Sequence, residues 1–420
     1  MTDATRVPIA GDPLAAITVV IPRGQTVDAL LNAAQMQPFS PIVIDFVESL
    51  GRALRTDPAI RKFPELVALG YWARGANIKR LHLRYAGAYP ASVRMPRGLA
   101  FHIAPSNVDT IFVYSLLLSM LAGNTNLVRI SSRAGEQSGH LLQVLERALT
   151  EADPAIVAAI AIVRYEHDQR ITDTLSRLAA LRIVWGGDAT VELIRASPLA
   201  PSGTELVFPN KYSLAVFDAL AWNMANDQAA VARNFVNDAL WFGQMACSSP
   251  RAVVWRGTRS EMNVASASFW AAVDAAASTA GLDWEPAFAV AKLLAEQGIA
   301  LAGGAHILAT GSNRIRVVRT EGLTDLGSPA AAGNGFFREF RIDALAELAG
   351  VAKRNWQTVV SFGVPADEWR QFMTSEMPVA IDRIVSVGSA LDFDAVWDGV
   401  DLLASMTRIT SLGLVDKGYP

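Results

Sequence analysis

The stretch GLAFHIAPSNVDTIFVYSLLLSMLAGNTNLVRISSR, residues 98–133, carries the period of the whole fold. An apolar run, "GLAFHIAP", reads as a buried strand, "SNVDT" as a loop, and the segment through Ala122 as a helix. A second strand, "TNLVRIS", follows a glycine-containing turn. The helix segment is apolar on every side, which is the signature of a helix buried all round. Working outward, the unit repeats: a helix from about Gly135 to Leu149, an apolar run "IVAAIAIVRYE", a helix to Ala180, and the strand "LRIVWGG". Strands alternating with helices predict parallel βαβ units and a doubly wound α/β sheet. Before this region lie a short strand pattern, "AAITVVIP", and helical segments from about Thr26 to Leu69. After it, "FPNKYSLAVFD" reads as a loop that enters a helix running to Trp241, and a second α/β region follows.

At 420 residues the chain exceeds what one core usually serves, so two domains are expected. We place the first domain, with an N-terminal helical part, at residues 1–215, and the second at 216–375. Residues 376–420 complete the fold or form an oligomer interface. Hydrophobic residues make up 51% and charged ones 18%, and the net charge is −3. Such a balance offers no electrostatic footprint for nucleic acid. The longest apolar run, Val108 to Ala122, contains Asp109 and falls short of the about 20 residues that span a bilayer. The opening "MTDATRVPIAGDP" has neither a basic start nor an apolar h-region, so a cytoplasmic protein is expected. Five histidines at 82, 102, 140, 167 and 306 show no ligand spacing, and no metal is expected.

The only cysteine, Cys247, stands in "ALWFGQMACSSPRAVVW", residues 239–255. A free cysteine is often a small buried hydrophobe. Its flanks point elsewhere, because "ALWFGQM" ends a helix and "RAVVW" looks like a strand. Cys247 is therefore expected on the short connection between them, where nucleophiles are commonly presented.

Four segments then fall in order: "HIAPSNVDT", "AGNTNLVRISSR", "VWGGDATVEL" and "FGQMACSSPRAVV". In order and wording they resemble the aldehyde dehydrogenase superfamily, and within it the LuxC-like acyl-CoA reductases, over roughly residues 95 to 420. The resemblance implies an aldehyde-dehydrogenase-like fold, with a doubly wound cofactor-binding domain and a second α/β domain carrying the thiol. It also implies that Asn107 donates its amide to an oxyanion, and Ser106 beside it is expected to contact the cofactor. Such a neutral, fixed donor contributes about 3 kcal/mol to a transition state. The same Asn equally serves as a helix cap.

"NLVRISSR" stands where the superfamily binds the adenosine ribose of its nicotinamide cofactor. Arg129 takes the place of a lysine, and Ser132 that of the carboxylate found in many NAD-preferring relatives. With Ser131 and Arg133 beside them, these groups accept a 2′-phosphate, so NADPH is expected. Gly186 and Gly187, followed by Asp188, form a strand-to-helix turn suited to a pyrophosphate.

Hydrolytic relatives carry a glutamate just before a Leu-Gly-Gly-Lys turn, and alignment on Lys211 puts Val207 there. Glu205 is two residues away and would restore a base after a register slip. The glutamate that holds the nicotinamide ribose has no clear counterpart; Glu321 or Glu339 would need a shifted register. His102 reads as a core or strand-end histidine. The resulting expectation is NADPH-dependent reduction of an acyl thioester, acyl-CoA or acyl carrier protein, to an aldehyde through a Cys247 acyl-enzyme. The alternatives are a hydrolytic NAD(P)-dependent aldehyde dehydrogenase and a non-catalytic acyl-binding or transfer protein. By analogy with relatives, a homo-oligomer, dimer or tetramer, is expected. The many Ala, Leu and Phe residues between 262 and 310 would suit either core helices or a hydrophobic tunnel.

Overall fold

A computed structural model describes residues 13–87, 92–104, 110–131, 136–282, 285–328 and 332–412. Four expected site residues, Ser106, Asn107, Ser132 and Arg133, lie outside the described residues. The chain divides into two compact units, Met1–Pro209 with Phe393–Pro420, and Asn210–Asp392.

In the first unit the strands are β1 (Thr18–Ile21), β2 (Ser92–Pro96), β3 (Leu99–Ile103), β4 (Thr125–Arg129), β5 (Ile160–Arg164), β6 (Leu181–Trp185) and β7 (Thr204–Phe208). Six of them form one sheet in the order β1-β5-β4-β3-β6-β7. All its neighbours run parallel except β1 and β5. Of the parallel strands the chain lays down β3 first, moves out to β4 and β5, and returns to the other side for β6 and β7. The order therefore reverses between β3 and β6, where Ile103 pairs with Val184. Open α/β sheets bind ligands at such a switch point, outside the carboxyl ends of the strands. The helix Thr110–Leu121 is buried at every position, as its uniform apolarity demands.

The carboxyl-terminal stretch is split between the units: residues to Asp392 belong with the second and those from Phe393 with the first. Its apolar residues explain the return, because Phe393 and Trp397 pack around Tyr114 at ring separations of 4.9 and 5.8 Å. Leu402, Leu403 and Met406 enter the same core, and Thr407–Ser411 pairs antiparallel with β2.

The second unit contains β8 (Tyr212–Asp218), β9 (Pro250–Arg256), β10 (Ala305–Leu308), β11 (Arg316–Thr320), β12 (Phe336–Ile342), β13 (Trp356–Phe362) and β14 (Arg383–Ser386). Their order is β10-β11-β12-β9-β8-β13-β14, parallel apart from the β10–β11 hairpin. One expectation is corrected here. The expected loop "FPNKYSLAVFD" is instead a central strand over Tyr212–Asp218, with Tyr212 to Phe217 buried. A strand covered on both faces shows no polar alternation, and the Pro-Asn-Lys before it supplied the turn signal. Around it packs an aromatic core in which Phe217, Trp222, Trp255 and Phe269 meet edge to face.

Candidate active site

Cys247 lies on the connection between the short 3-10 turn Trp241–Gln244 and β9, and it is exposed. The small-hydrophobe reading therefore fails, and the loop position expected from its flanks is the observed one. Cys247 precedes β9, so it sits at the amino ends of the parallel strands. Its own carbonyl accepts from Ser213 Oγ at 2.6 Å, and that oxygen accepts from the Thr358 backbone N–H at 3.1 Å. Three consecutive residues before the thiol, Phe242, Gly243 and Gln244, have φ of 57°, 60° and 66°. The loop is pinned from the other side by residues ahead of β12: the Asn334 N–H donates to the Gly243 carbonyl at 2.9 Å. At Gly243 a β-carbon would stand 2.7 Å from Asn334 Oδ1, so any larger residue there would push the Asn334 amide aside. Beneath this loop Lys292 Nζ donates to the carbonyls of Asn313, Arg314 and Asn334 at 2.6, 3.0 and 2.9 Å. Burial, reinforced by Arg316 and Arg314, pushes its ammonium down to about 8.

The expected cofactor residues lie in the first unit. Arg129 closes β4 with its guanidinium over the Tyr165 ring, 4.8 Å from the centroid. Its buried Nε has no hydrogen-bond partner among the described residues. Ser131 follows two residues later, half-buried. Gly186 follows β6, and Gly187 is the N-cap of the helix Asp188–Arg195 with no side chain to close it. Asp188, in the first turn of that helix, is exposed. These glycines stand directly beyond the strand that borders the switch point. The Arg129 donor left without a partner and the uncapped helix start both suit an anionic cofactor, the first as a charge-assisted donor and the second through its N–H groups and dipole.

His102 is buried in β3 and fully partnered, with Nδ1 2.9 Å from Ser115 Oγ and Nε2 3.1 Å from Asn126 Oδ1. Burial lowers it to about 4, against a smaller opposing effect of the Asn126 bond. It is a neutral core residue, as its sequence position implied. Glu205, the possible base, accepts from Arg182 at 2.6 and 2.8 Å and from Arg195 at 2.8 Å. Both of its oxygens are thereby occupied by guanidiniums. Val207 lies on the same side of β7 and packs into an apolar cluster with Val184 and Val191. Lys211 pairs with Asp382 at 2.8 Å. Glu321 pairs with Arg259 at the surface, and Glu339 is buried between Arg319 and the indoles of Trp255 and Trp270. Neither carboxylate of that last pair is a free ribose ligand. No group of three or more His, Cys, Asp or Glu suited to a metal occurs among the described residues, and none of their helices is long and apolar enough to cross a membrane.

Residues 82–409 match the sequence profile of the family described as acyl-CoA reductase (LuxC). The chain belongs to the LuxC acyl-CoA reductase family. Over 165 residues it is 27% identical to the long-chain acyl-protein thioester reductase of Aliivibrio fischeri, covering 39% of this chain and 33% of that protein. Over 166 residues it is 25% identical to long-chain acyl-protein thioester reductase 2 of Photobacterium leiognathi, with the same coverage of 39% and 33%. The matched part thus spans about a third of the length of these curated relatives. Among solved structures, aldehyde dehydrogenase 21 from Physcomitrella patens aligns with a TM-score of 0.65 at 10% identity, covering 93% of this chain and 88% of that one. Mycobacterium tuberculosis aldehyde dehydrogenase, complexed with NAD+, gives 0.63 at 15% identity, covering 92% and 88%. At these identities the likeness is one of fold, and the fold is aldehyde-dehydrogenase-like.

For this LuxC-family chain, sequence reasoning passed over the residues that hold the thiol loop. Gln244, Ser213, Asn334 and Lys292 carry no motif, and Lys292 sits in a mainly apolar helix, Pro286–Ala302. The one signal available was the company of Gln244 in "FGQMACSSP", three residues from the thiol.

Proposed function

We propose that this protein reduces an acyl thioester to an aldehyde with NADPH, through an acyl-enzyme on Cys247. The observation that carries this reading is the exposed thiol, the chain's only one, on a loop held at its carbonyl by Ser213 and at its start by Asn334. Family membership and the relatives named as acyl-protein thioester reductases support an acyl thioester as substrate, on coenzyme A or on a carrier protein. In this reading the first unit holds the cofactor and the second presents the nucleophile.

The thiolate of Cys247 attacks the thioester carbonyl carbon, forming a carbon–sulfur bond and a tetrahedral oxyanion. A backbone N–H near Cys247 would receive that negative charge, and the family resemblance assigns the same task to the Asn107 amide. Collapse expels the carrier as its thiolate, leaving the acyl group on Cys247. Arg129, Ser131, Ser132 and Arg133 would hold the adenosine 2′-phosphate, and Gly186, Gly187 and Asp188 would border the pyrophosphate. Bound NADPH supplies the hydride that reduces the acyl carbon. The thiohemiacetal oxyanion on Cys247 then collapses, releasing aldehyde and regenerating the thiolate. Hydrolysis is slow because Val207 contributes only hydrocarbon and Glu205 is committed to two arginines.

Intact-protein mass spectrometry tests this. With acyl-CoA and no NADPH, a stable adduct of one acyl group is expected, discharged as aldehyde when NADPH is added. Cys247→Ala and Cys247→Ser should form none, and Glu205→Gln should leave the adduct's lifetime unchanged. Full reductase activity in Cys247→Ala would end the mechanism. Rapid release of free acid, slowed by Glu205→Gln, would favour a hydrolytic enzyme.

A further inference from the structure

The backbone that carries Cys247 is held in a conformation that its residues would not adopt unaided. Phe242, Gly243 and Gln244 all have left-handed φ, and two of the three are not glycine. A non-glycine residue is strained in that region, and such strain persists only where the surroundings over-determine it. The surroundings here converge on one side chain. Gln244 is fully buried, at 0% exposure. Its Nε2 donates to the Pro250 carbonyl at 2.9 Å and to the Phe336 carbonyl at 3.1 Å. Its Oε1 accepts from the Gly335 N–H at 2.9 Å. Pro250 lies three residues beyond Cys247 and Gln244 three before it. The bond between them closes a small ring around the thiol, and the other two bonds fix that ring to the start of β12.

We propose that Gln244 is the positioning residue of Cys247: its amide sets the direction in which the thiol projects, and with it the thiol's reactivity. The role of Cys247 as nucleophile rests on the function proposed above, but the placement of its thiol does not. A primary amide is the side chain the site calls for, because one planar group must give two protons and take one. A buried carboxylate would confront the carbonyls of Pro250 and Phe336. A hydrocarbon would leave two carbonyls and one N–H unpaired in a closed interior, where each missing partner is costly.

Because Cys247 is the chain's only cysteine, iodoacetamide reports on it alone. The test measures the alkylation rate of the full chain from pH 6 to 10, without substrate, alongside steady-state reduction of an acyl-CoA. Gln244→Met keeps the length and removes all three bonds. Gln244→Glu keeps the shape and the acceptor, and its carboxyl donates one bond only while protonated. In Gln244→Met the pH profile of alkylation should shift and the rate at fixed pH fall about tenfold. The kcat for reduction should fall up to about 10²-fold, as for a misplaced reacting group, with the KM for NADPH nearly unchanged. Gln244→Glu should approach wild-type alkylation at low pH and fall further behind as pH rises and the carboxylate ionises. If Gln244→Met does not fold, the pH-dependent loss in Gln244→Glu decides. Wild-type alkylation profiles in a folded Gln244 variant would overturn the proposal, as would equal losses in kcat and cofactor affinity. A shifted profile in the Gln244 variants together with full activity in Cys247→Ala would instead sink the proposed nucleophile and leave the positioning of the thiol standing.

Discussion

A histidine kept neutral inside a sheet leaves a signature in the pH dependence of stability. His102 ionises near 6.5 in the unfolded chain but only at about 4 in the fold, chiefly because burial disfavours its charge. Between these values the unfolded state binds a proton that the folded state refuses, so stability must fall as the pH drops from 6.5 towards 4. The loss is about 1.4 kcal/mol per unit and about 3 kcal/mol in all. Urea unfolding at pH 7, 6 and 5 measures it, and His102→Gln should flatten the slope by one proton's worth. Equal slopes in the two proteins would mean that His102 is not the group responsible. The same residue shows how much of the site could be read locally. Its strand position named it a core histidine, but its partners, Ser115 and Asn126, lie in a helix and a neighbouring strand. Glu205 makes the converse case. Two residues from the position of a catalytic base, it was a fair suspect in one dimension. Arg182 and Arg195, brought to it by β6 and the helix that follows, remove it.

At the scale of elements, the turn between the helix Thr110–Leu121 and β4 depends on Gly123. Its φ is +87°, and a β-carbon there would stand 2.2 Å from the Met36 carbonyl oxygen. The Met36 N–H in turn donates to the Gly123 carbonyl at 3.0 Å. Gly123→Ala combines left-handed strain with a backbone clash and should destabilise the fold by about 2–4 kcal/mol. Chemical denaturation measures this, and a change under 0.5 kcal/mol would show that the Met36 segment moves aside freely. The helix Thr110–Leu121 was legible because every face of it is apolar. The helix Pro286–Ala302 was not. Its only two charged residues, Lys292 and Glu296, are its buried ones, while Val290, Leu293, Leu294 and Leu301 are exposed. Periodicity assigns the apolar face inward. Here Lys292 meets three carbonyls and Glu296 a bidentate Arg316, so the ionic side faces the interior instead.

For the whole molecule, the path of the chain makes the first unit depend on its last residues. Phe393, Trp397, Leu402, Leu403 and Met406 pack against a core whose other members come from before residue 210. Arg97 Nε also donates to the Ser405 carbonyl at 2.6 Å, and Asn124 Nδ2 to that of Met406 at 2.9 Å. Ending the chain after Asp392 should therefore expose the first unit's core while sparing the second. Hydrogen exchange should become fast in the helix Thr110–Leu121 and stay slow in β8 and β9. Unchanged protection of that helix would show that the tail adds nothing to the unit.

The alternation of strand and helix, the buried helix, the glycine turn after β6 and the loop position of Cys247 are legible in the residues alone. These follow from hydrophobic period and turn chemistry, which act between residues close in the chain. Contacts distant in the chain make Tyr212–Asp218 a central strand, occupy Glu205 with two arginines and let Gln244 close the thiol loop. Each of those outcomes depends on a buried polar or backbone group finding its partner, and two of the three partners of Gln244 lie at 335 and 336. Hydrogen-bond satisfaction in a closed interior is a property of what the fold brings together, and it leaves no period in the sequence to read.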